Sequence, residues 1–386
     1  MKVNLLIVHG GGPTAVINSS LYGAIMEAKS YNSINTVYGA LGGTAGILKE
    51  EFIDFSTVSQ HEIELLKQTP ASAIGTSRTP LVAEDYEAMI LVFKKYNIKY
   101  VLFNGGNGSM DTCGKLYLEA KKYNISVIGI PKTVDNDIAI TDHCPGYGSA
   151  ARYLAQTVAE ISQDVRSMPI HVCIIETMGR NAGWITGAAA LAKMDEASGP
   201  HLIYLPEIAF DEEKFLTDVK KLYDKYGSAV VVASEGLKKR DGSPIVKPIF
   251  QTGRSIYFGD VGAHLAELVI KRLGIKARSE KPGIAGRSSI MYQSSVDREE
   301  AILAGAEACR AALNGKTGIM IGFQRVSTNP YKIKIIQIPI EDVMMHESPM
   351  PKEFIDQEGK GVTEKFIEWC RPLIGEDLLE FAWFNK

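Results

Sequence analysis

The stretch VNLLIVHGGGPTAVIN, residues 3–18, decides the fold class of this 386-residue chain. Residues 3–8 are almost entirely apolar, which is typical of a strand that a parallel sheet buries on both faces. The glycines at 10–12 then end the strand, and a helix is predicted over residues 15–30. A buried strand that leads through a glycine turn into a helix is the repeating unit of α/β folds.

Outward from this stretch, apolar strands and helices alternate along most of the chain. Further strands are predicted at residues 100–104, 126–130, 171–176 and 229–234, with a helix over about 109–123. Strands joined by helices form mostly parallel sheets through right-handed crossovers, and helices cover both faces. The length suggests two domains, with three as the alternative. Because no low-complexity linker separates them, we expect the two domains to be interleaved.

Composition excludes several classes of protein. A net charge of −3, with both signs mixed along the chain, gives no basic surface for nucleic acid. No apolar run reaches the ~18 residues of a membrane span. The five cysteines are odd in number and far apart, so we expect reduced thiols and a cytoplasmic location. No cluster has the spacing of a zinc site. We therefore expect no nucleic-acid partner and no membrane partner.

Glycine-rich turns follow two of the predicted strands. GGGPT (10–14) follows the first strand and GGNGS (105–109) follows the strand at 100–104, and each opens a helix. Glycines let backbone N–H groups approach an anion, and a helix N-terminus favours negative charge. The carboxyl ends of parallel strands meet at one edge of a sheet. Two such turns therefore favour a polyphosphate ligand, although each alone is equally explained as a tight turn.

Charged residues follow the third strand. In PKTVDND (131–137), Asp135 and Asp137 lie two residues apart, close to Lys132. The functional interpretation is a general base with a partner carboxylate, and a lysine that supplies charge to a phosphoryl group. A turn with solvated aspartates is the alternative. We favour the functional interpretation.

Later strand ends add arginines and a carboxylate. Arg180, in TMGRNAG, is flanked by glycines at the start of a helix and suits anion binding, and Glu235 can accept hydrogen bonds from sugar hydroxyls. Arg278 and Arg287 flank a loop with Gly and Pro and can clamp a phosphate monoester. Each of these residues alone is more often a surface residue than part of a site. The prediction rests on similar chemistry at five strand ends.

Together these motifs resemble those of the phosphofructokinase family over about residues 3–325. GGGPTAVIN (10–18) is similar to the family's first phosphate loop, GGNGS to its GGDGS or GGDDS, and PKTVDND to its TIDND catalytic loop. ETMGRNAGW (176–184) is similar to EVMGRHAGW, and LPE (205–207) and SEG (234–236) also match. Several separated motifs in the family's order are far more specific than any one of them.

The resemblance implies an α/β fold of two interleaved domains, with mostly parallel sheets covered by helices on both faces and the active site in the cleft between the domains. The predicted phosphoryl-donor domain comprises residues 1–146 plus about 287–345. Residues 147–286 form the predicted sugar-phosphate domain, and about 346–386 a C-terminal extension. The resemblance also implies a homodimer or homotetramer whose active sites share residues across an interface.

By resemblance, Asp135 is the general base that takes the proton from the 1-hydroxyl of fructose 6-phosphate. Asp137 helps hold this base and the metal region, and Arg78 and Arg180 complete the catalytic set. The implied cofactor is Mg²⁺, near Asn107. The implied donor-binding residues are Gly12, Gly106, Gly108, Ser109 and Lys132. The implied substrate-binding residues are Thr133, Val134, Asp135, Met178, Gly179, Arg180, Glu235, Arg278, Ile284 and Arg287, of which Arg278 and Arg287 grip the 6-phosphate.

The phosphoryl donor is ATP or pyrophosphate. Gly108 stands where ATP users of the family have Gly and most pyrophosphate users have Asp, which would repel the α-phosphate of a nucleotide. Lys132 resembles the lysine that holds pyrophosphate, although some ATP users also carry it. The C-terminal half, with GRSS (286–289) followed by SSVDREEA, is closer to the pyrophosphate-dependent branch. We give Gly108 more weight and predict ATP.

Three departures from the family's pattern bear on the metal and the acceptor. Asn107 replaces an acid, and because an amide brings no charge, Mg²⁺ would rely on the donor's phosphates. Ile284 stands where the family usually has His or Tyr. His171 replaces a basic residue, usually Arg, that a neighbouring subunit contributes. Sedoheptulose 7-phosphate or another sugar phosphate is therefore an alternative acceptor.

We predict a 6-phosphofructokinase of glycolysis that transfers a phosphoryl group from ATP to fructose 6-phosphate and gives fructose 1,6-bisphosphate. The first alternative is the same reaction with pyrophosphate, run reversibly. The second is a non-catalytic sugar-phosphate sensor, which Asn107 motivates. NAD and lipid kinases share a GGDGT-like loop, but the PKTVDND and MGR segments argue against them. A dehydrogenase is poorly supported, because no GxGxxG follows the first strand.

Overall fold

The computed structural model describes residues 2–252, 255–344 and 346–384. It divides into two compact units, of which the first comprises Met1–Ser149 with Arg287–Ser348 and the second Ala150–Gly286 with Pro349–Lys386. Each unit is built from two separate segments of the chain, which is the interleaving that the sequence predicts.

A mostly parallel sheet forms the centre of the first unit. Its strands are β1 (Val3–His9), β2 (Ile34–Ala40), β3 (Phe52–Asp54), β4 (Ile98–Gly105), β5 (Ser126–Pro131), β12 (Ile319–Thr328) and β13 (Tyr331–Pro339), in the order β13-β12-β5-β4-β1-β2-β3. The pairs β1–β2, β1–β4, β4–β5 and β5–β12 are parallel. The edge strands β3 and β13 are antiparallel to their neighbours.

Helices cover both faces of this sheet, as predicted. They are α1 (Ile17–Lys29), α2 (Thr44–Leu48), α3 (Gln60–Leu65), α4 (Ala83–Lys95), α5 (Asn107–Ala120), α11 (Ser295–Leu313) and α12 (Ile340–Val343), with 3₁₀ turns at Leu66–Gln68 and Lys121–Tyr123. On one face, Leu21 of α1 packs in a core with Ile7 of β1. On the other, Phe93 of α4 shares a core with Val8. Alternate residues of β1 thus enter two cores, which explains why residues 5–8 are all apolar.

The second unit contains a parallel sheet of β6 (Val172–Thr177), β7 (Leu202–Tyr204), β8 (Ala229–Ser234) and β11 (Ala277–Glu280), in the order β11-β6-β8-β7, and a separate hairpin of β9 (Pro248–Thr252) and β10 (Ser255–Phe258). Its helices are α7 (Trp184–Ala188), α8 (Glu212–Tyr226), α9 (Val261–Leu273) and α13 (Glu364–Cys370), with 3₁₀ turns at Ala189–Ala192, Lys352–Phe354 and Arg371–Ile374. Helices α6 (Tyr147–Ser167) and α10 (Ala285–Ser288) carry the chain across the boundary. No helix of the described ranges is long and apolar enough to cross a membrane.

Aromatic packing joins the C-terminal segment to the second unit. The ring of Trp184, at the start of α7, lies 5.9 Å from that of Phe354 and 4.8 Å from that of Trp369, measured between centroids. The backbone N–H of Ile203 donates to the carbonyl of Lys360 at 3.0 Å. The sequence predicts a C-terminal extension from about residue 346, whereas these contacts group Pro349–Lys386 with the second unit.

Candidate active site

Three neighbouring strands bring the predicted donor motifs to one edge of the first unit's sheet. Strands β1, β4 and β5 are adjacent and parallel. The segments 10–14, 105–109 and 131–137 therefore all leave the sheet at its carboxyl edge, where ligands bind in open α/β sheets. The first segment is also bonded to the strand that leads into the second, because the N–H of Gly10 donates to the carbonyl of Asn104 in β4 at 2.9 Å.

Three cationic side chains lie around Gly12. Lys132 Nζ donates to the carbonyl of Gly12 at 2.5 Å. A Cβ placed on Gly12 would lie 3.0 Å from Nη1 of Arg287 and 3.4 Å from Nη2 of Arg78, so glycine permits this close approach. The Nε atom of Arg287 is buried without a hydrogen-bond partner among the described residues. Three positive groups, one of them with an unpaired donor, suit the binding of a polyanion.

Lys132 is 2% exposed, and this burial makes its charged form less favourable. Burial lowers the pKa of Lys132 to about 8; Asp135 opposes the decrease, and Arg287 and Arg78 add to it. An anion bound beside the ammonium group raises the pKa again, because opposite charge favours the protonated form. The predicted donor site therefore holds a positive charge that an anionic ligand would stabilise.

Thr133 ties the two aspartates of segment 131–137 together. Its Oγ1 donates to Oδ1 of Asp137 and accepts from the N–H of Asp135, both at 3.1 Å. The carbonyl of Asp137 accepts from Nδ2 of Asn107 at 3.1 Å. Val134, between them, is buried. This geometry keeps the two carboxylates on one fixed loop beside the glycine turns, as a base and its partner carboxylate require.

The second glycine turn packs against the first. A Cβ on Gly10 would collide with Oγ of Ser109, which is buried. A Cβ on Gly106 would lie 3.3 Å from the carbonyl of Lys132. A Cβ on Gly108 would meet no described atom within 4 Å. The turn is therefore crowded on the side of the other two motifs and open at Gly108.

Asn107 is the residue predicted to lie near a metal ion. Its Oδ1 is buried and accepts no hydrogen bond from the described residues, so this oxygen is available to a metal ion or its water. In the part of the chain that the structure describes, no three His, Cys, Asp or Glu side chains form a group that could hold a metal. Mg²⁺ prefers oxygen ligands and commonly takes several from phosphates and water. The residues present fit a Mg²⁺ ion that arrives with a phosphate ligand.

The predicted sugar-binding motifs lie side by side in the second unit. Met178, Gly179 and Arg180 follow β6, and Glu235 follows the adjacent parallel strand β8. Ser234 Oγ donates to the carbonyl of Gly179 at 2.8 Å and joins the two loops. Burial raises the pKa of Glu235, although the charge of Arg180 opposes this increase. A partly buried carboxyl group beside a guanidinium suits the binding of sugar hydroxyls.

Phe258 is a neighbour of Arg180 that no sequence pattern predicts. The guanidinium carbon of Arg180 lies 5.3 Å from the centroid of the Phe258 ring, within the range of a cation–π contact. Phe258 ends hairpin β9–β10, and its apolar sequence does not distinguish it from a core strand. Only the fold brings this aromatic ring to the MGR segment.

The structure places Arg278 away from the carboxyl end of β6. Arg278 lies opposite Cys173 in the parallel pairing of β11 with β6. Cys173 is four residues before Thr177, the last residue of β6, so Arg278 lies about 13 Å along the strand from that end. Ile284 is 68% exposed. Both ring nitrogens of His171 are buried without a partner among the described residues. Arg278 lines a cavity of about 300 Å³ with His171, Cys173, Glu160, Ile161, Asp164, Val165 and Glu280.

Residues 4–312 match the family described as phosphofructokinase. The chain belongs to the phosphofructokinase family. It is a phosphotransferase, as predicted. The family's glycine turns, its catalytic loop and its MGR and SEG segments are the motifs that the structure places at the carboxyl edges of the two sheets.

Relatives in the phosphofructokinase family share almost the whole chain. The pyrophosphate–fructose 6-phosphate 1-phosphotransferase of Rhodospirillum rubrum is 37% identical, over 98% of this chain and 95% of that relative. A sulfofructose kinase of Alkalicoccus urumqiensis is 32% identical, over 96% of each. The crystal structure of a pyrophosphate-dependent phosphofructokinase from Marinobacter aquaeolei has a TM-score of 0.89 at 37% identity, covering 99% of this chain and 94% of that one. The predicted fold class is confirmed.

Proposed function

We propose that this enzyme transfers a phosphoryl group from pyrophosphate to the 1-hydroxyl of fructose 6-phosphate, reversibly, and gives fructose 1,6-bisphosphate and phosphate. Gly108 led us to predict ATP, with pyrophosphate as the alternative. The Rhodospirillum and Marinobacter relatives, which are named for pyrophosphate, fit the alternative better. The observation in this chain that supports pyrophosphate is the buried Lys132 beside Gly12.

The cations around Gly12 support a compact donor without a nucleoside. Pyrophosphate offers only phosphate oxygens, so its binding depends on charge-assisted hydrogen bonds. Three cationic side chains lie close to Gly12, those of Lys132, Arg78 and Arg287. The Nε of Arg287 has no hydrogen-bond partner among the described residues, so it can donate to a phosphate oxygen. Gly108 favours ATP instead, and paired rate measurements with the two donors distinguish the two possibilities.

Asp135 is the proposed general base. It takes the proton of the sugar's 1-hydroxyl while that oxygen bonds to one phosphorus of pyrophosphate, and the bond to the bridging oxygen breaks to release phosphate. Thr133 holds the backbone of Asp135 and the carboxylate of Asp137. Phosphoryl transfer depends mainly on positioning and on charge stabilisation. Lys132 and Arg78 supply that charge on the donor side.

Mg²⁺ fits this scheme as a ligand of the donor. When bound, the ion neutralises part of the charge of pyrophosphate. From the protein, the Oδ1 of Asn107 and the Asp137 carboxylate would hold it. The remaining ligands come from phosphate oxygens and water, since Asn107 brings no charge.

Glu235 and the segment Met178–Arg180 are the proposed sugar-binding groups. Glu235 accepts hydrogen bonds from sugar hydroxyls, and Arg180 binds an anionic part of the substrate. Arg278, which the family resemblance assigns to the 6-phosphate, lies about 13 Å along the sheet from this end of β6. This separation supports a homo-oligomer in which Arg278 and His171 complete the site of a neighbouring subunit.

The donor is tested by initial rates with fructose 6-phosphate and Mg²⁺, with pyrophosphate and ATP compared side by side. We expect turnover with pyrophosphate and little with ATP. Preference for ATP would overturn the proposed donor. If neither donor gives turnover, the assay is repeated with sedoheptulose 7-phosphate and with sulfofructose as acceptors. Sulfofructose appears in the name of the Alkalicoccus relative. Sugar-phosphate binding without turnover for every pair would support the sensor.

The shared site is tested by mixing two inactive variants, Arg278→Ala and Asp135→Ala. If Arg278 acts in a neighbouring subunit, a mixed dimer holds one site with both residues intact, and random mixing restores about a quarter of wild-type activity. If Arg278 acts in its own subunit, mixing restores nothing. Refolding each variant alone provides the control.

A further inference from the structure

The chain between Asp137 and helix α6 is held by side chains of helix α11. The proposed mechanism gives no role to this helix. Asp297 and Glu300 lie three residues apart in the first turns of α11, so they share one face of the helix. Both are buried. Because buried carboxylates are costly unless they are paired, their partners indicate what this face of the helix does.

Asp297 holds the point where the loop enters helix α6. Its Oδ1 accepts from the N–H of Gly146 at 2.8 Å. Its Oδ2 accepts from the N–H of Ser149 at 2.9 Å and from the Ser149 hydroxyl at 2.5 Å. Gly146 pairs in turn with Thr133 across an isolated bridge. One buried carboxylate is therefore two contacts away from the residue that holds Asp135 and Asp137.

Glu300 holds the middle of the same stretch, between Asp137 and helix α6, through His143. The Nε2 of His143 lies 2.6 Å from Oε2 of Glu300, and its Nδ1 lies 2.8 Å from Oδ1 of Asp142. A neutral imidazole has only one N–H to donate, whereas an imidazolium has two. Both ring nitrogens face carboxylate oxygens, so the arrangement is that of a protonated histidine between two acids. The ring also stacks on Phe323, with centroids 5.1 Å apart.

The electrostatic surroundings agree with this geometry. Burial alone lowers the pKa of His143, but the charge of Glu300 and the hydrogen bonds to Asp142 and Glu300 outweigh it and raise the pKa to about 9. The second oxygen of Glu300 accepts from the Tyr331 hydroxyl at 2.7 Å. Arg325 pairs with Asp142 at 3.1 Å. The cluster is thus anchored on α11 and on the hairpin of β12 and β13.

We propose that Asp297, Glu300 and His143 are positioning residues that fix the catalytic loop and so keep Asp135 aligned with the acceptor hydroxyl. They touch no reacting atom and act through Gly146, Asp142 and Thr133. Small displacements of a catalytic group cost orders of magnitude in rate. Loosening the cluster should therefore lower kcat and leave the binding of donor and sugar phosphate nearly unchanged. The proposal rests on the proposed role of Asp135 as the base.

The test uses His143→Gln and Glu300→Gln, singly and combined, in the full-length enzyme. Each keeps a polar side chain of similar size but removes the charged contact between the two residues. We expect kcat to fall about 10- to 100-fold, with KM for both substrates changed less than about threefold. Because the two residues act through one contact, the double variant should be no slower than the slower single variant. The matched control is Glu299→Gln, an exposed neighbour on α11, which should keep wild-type kcat.

Hydrogen exchange provides a readout that needs no substrate. In both variants the amides of residues 133–149 should exchange faster, while those of strands β1 and β4 keep their protection. Tyr331→Phe removes only one hydrogen bond to Glu300 and is used if the charge variants do not fold; it should show the same effects more weakly. Unchanged exchange over 133–149, unchanged kcat, or KM rising in step with the loss of kcat would overturn the positioning role. If the wild-type enzyme turns over neither donor, the proposed function fails, and hydrogen exchange still tests the cluster.

Discussion

Replacing Lys132 with methionine should lower activity while leaving the protein at least as stable. The methionine keeps an unbranched apolar stem and removes the buried charge. Burial lowers the lysine pKa from 10.5 to about 8, a difference that corresponds to about 3 kcal/mol at ~1.36 kcal/mol per pH unit. The folded state therefore carries this unfavourable free energy at neutral pH, where the lysine is charged in both the folded and the unfolded states.

Part of that free energy is offset by the hydrogen bond from Lys132 to the Gly12 carbonyl. Losing this bond leaves a partly buried acceptor without its donor and costs about 1–2 kcal/mol. The net expectation for Lys132→Met is an increase of about 1–2 kcal/mol in the free energy of unfolding. Urea denaturation at pH 7 measures it directly.

Activity should respond in the opposite direction. A charge-assisted hydrogen bond to a phosphate contributes about 1.5–3 kcal/mol, so kcat/KM for pyrophosphate should fall by about 10- to 150-fold. The matched control is Lys115→Met on α5, where the lysine is half-exposed and pairs with Asp111 one helical turn away; it should keep wild-type rates. A variant at Lys132 that lost stability and activity together, or that kept its activity, would refute the assignment of this lysine to the donor site.

Further substitutions address the donor, the base and the metal. A Cβ at Gly108 meets no described atom within 4 Å, so Gly108→Asp should keep most pyrophosphate use and suppress the small residual ATP use much further in paired initial-rate assays; equal loss with both donors would make Gly108 structural. Asp135→Ala should lower kcat by ~10²–10⁴-fold while calorimetry still detects sugar-phosphate binding, and unchanged turnover would remove Asp135 from the mechanism. Asn107→Asp adds a charged oxygen ligand and should lower the Mg²⁺ concentration needed for half-maximal rate; an unchanged Mg²⁺ dependence would place Asn107 away from the ion.

The fold was largely readable from the sequence because its signals are local. Residues 3–8 are apolar except for Asn4, and the strand they form is buried on both faces. The glycine turns at 10–14 and 105–109 end neighbouring strands, so the topology brings together what the sequence shows separately. Segment 131–137 was recognisable for the same reason, since its residues are contiguous.

Contacts that depend on register and on packing were not readable. Arg278 precedes a loop with Gly and Pro in the sequence, but the pairing of β11 with β6 places it opposite Cys173 and not at the carboxyl end of β6. The guanidinium of Arg287 lies beside Gly12, although its spacing predicts a sugar-phosphate clamp with Arg278. The segment SSVDREEA shows three acids on a helix, a pattern typical of a solvated face. Only tertiary structure reveals that two of them, Asp297 and Glu300, are buried behind the loop that carries Asp135.

Two buried cations of the first unit give opposite dependences of stability on pH. The pKa of His143 is raised to about 9, so its stabilising contribution is complete below the unfolded value of about 6.5 and is lost as pH rises through about 9. The pKa of Lys132 is lowered to about 8, so its unfavourable contribution to stability is complete below about 8 and is relieved as pH rises towards 10.5.

Urea denaturation from pH 7 to pH 9 tests both signs. His143→Gln should make the free energy of unfolding rise more with pH than in the wild type, and Lys132→Met should make it fall more. Equal pH dependences in all three proteins would show that neither group has the charge inferred from its surroundings. A histidine held between two carboxylates and a buried lysine bonded to a backbone carbonyl are thus distinguishable in the free enzyme, without any substrate.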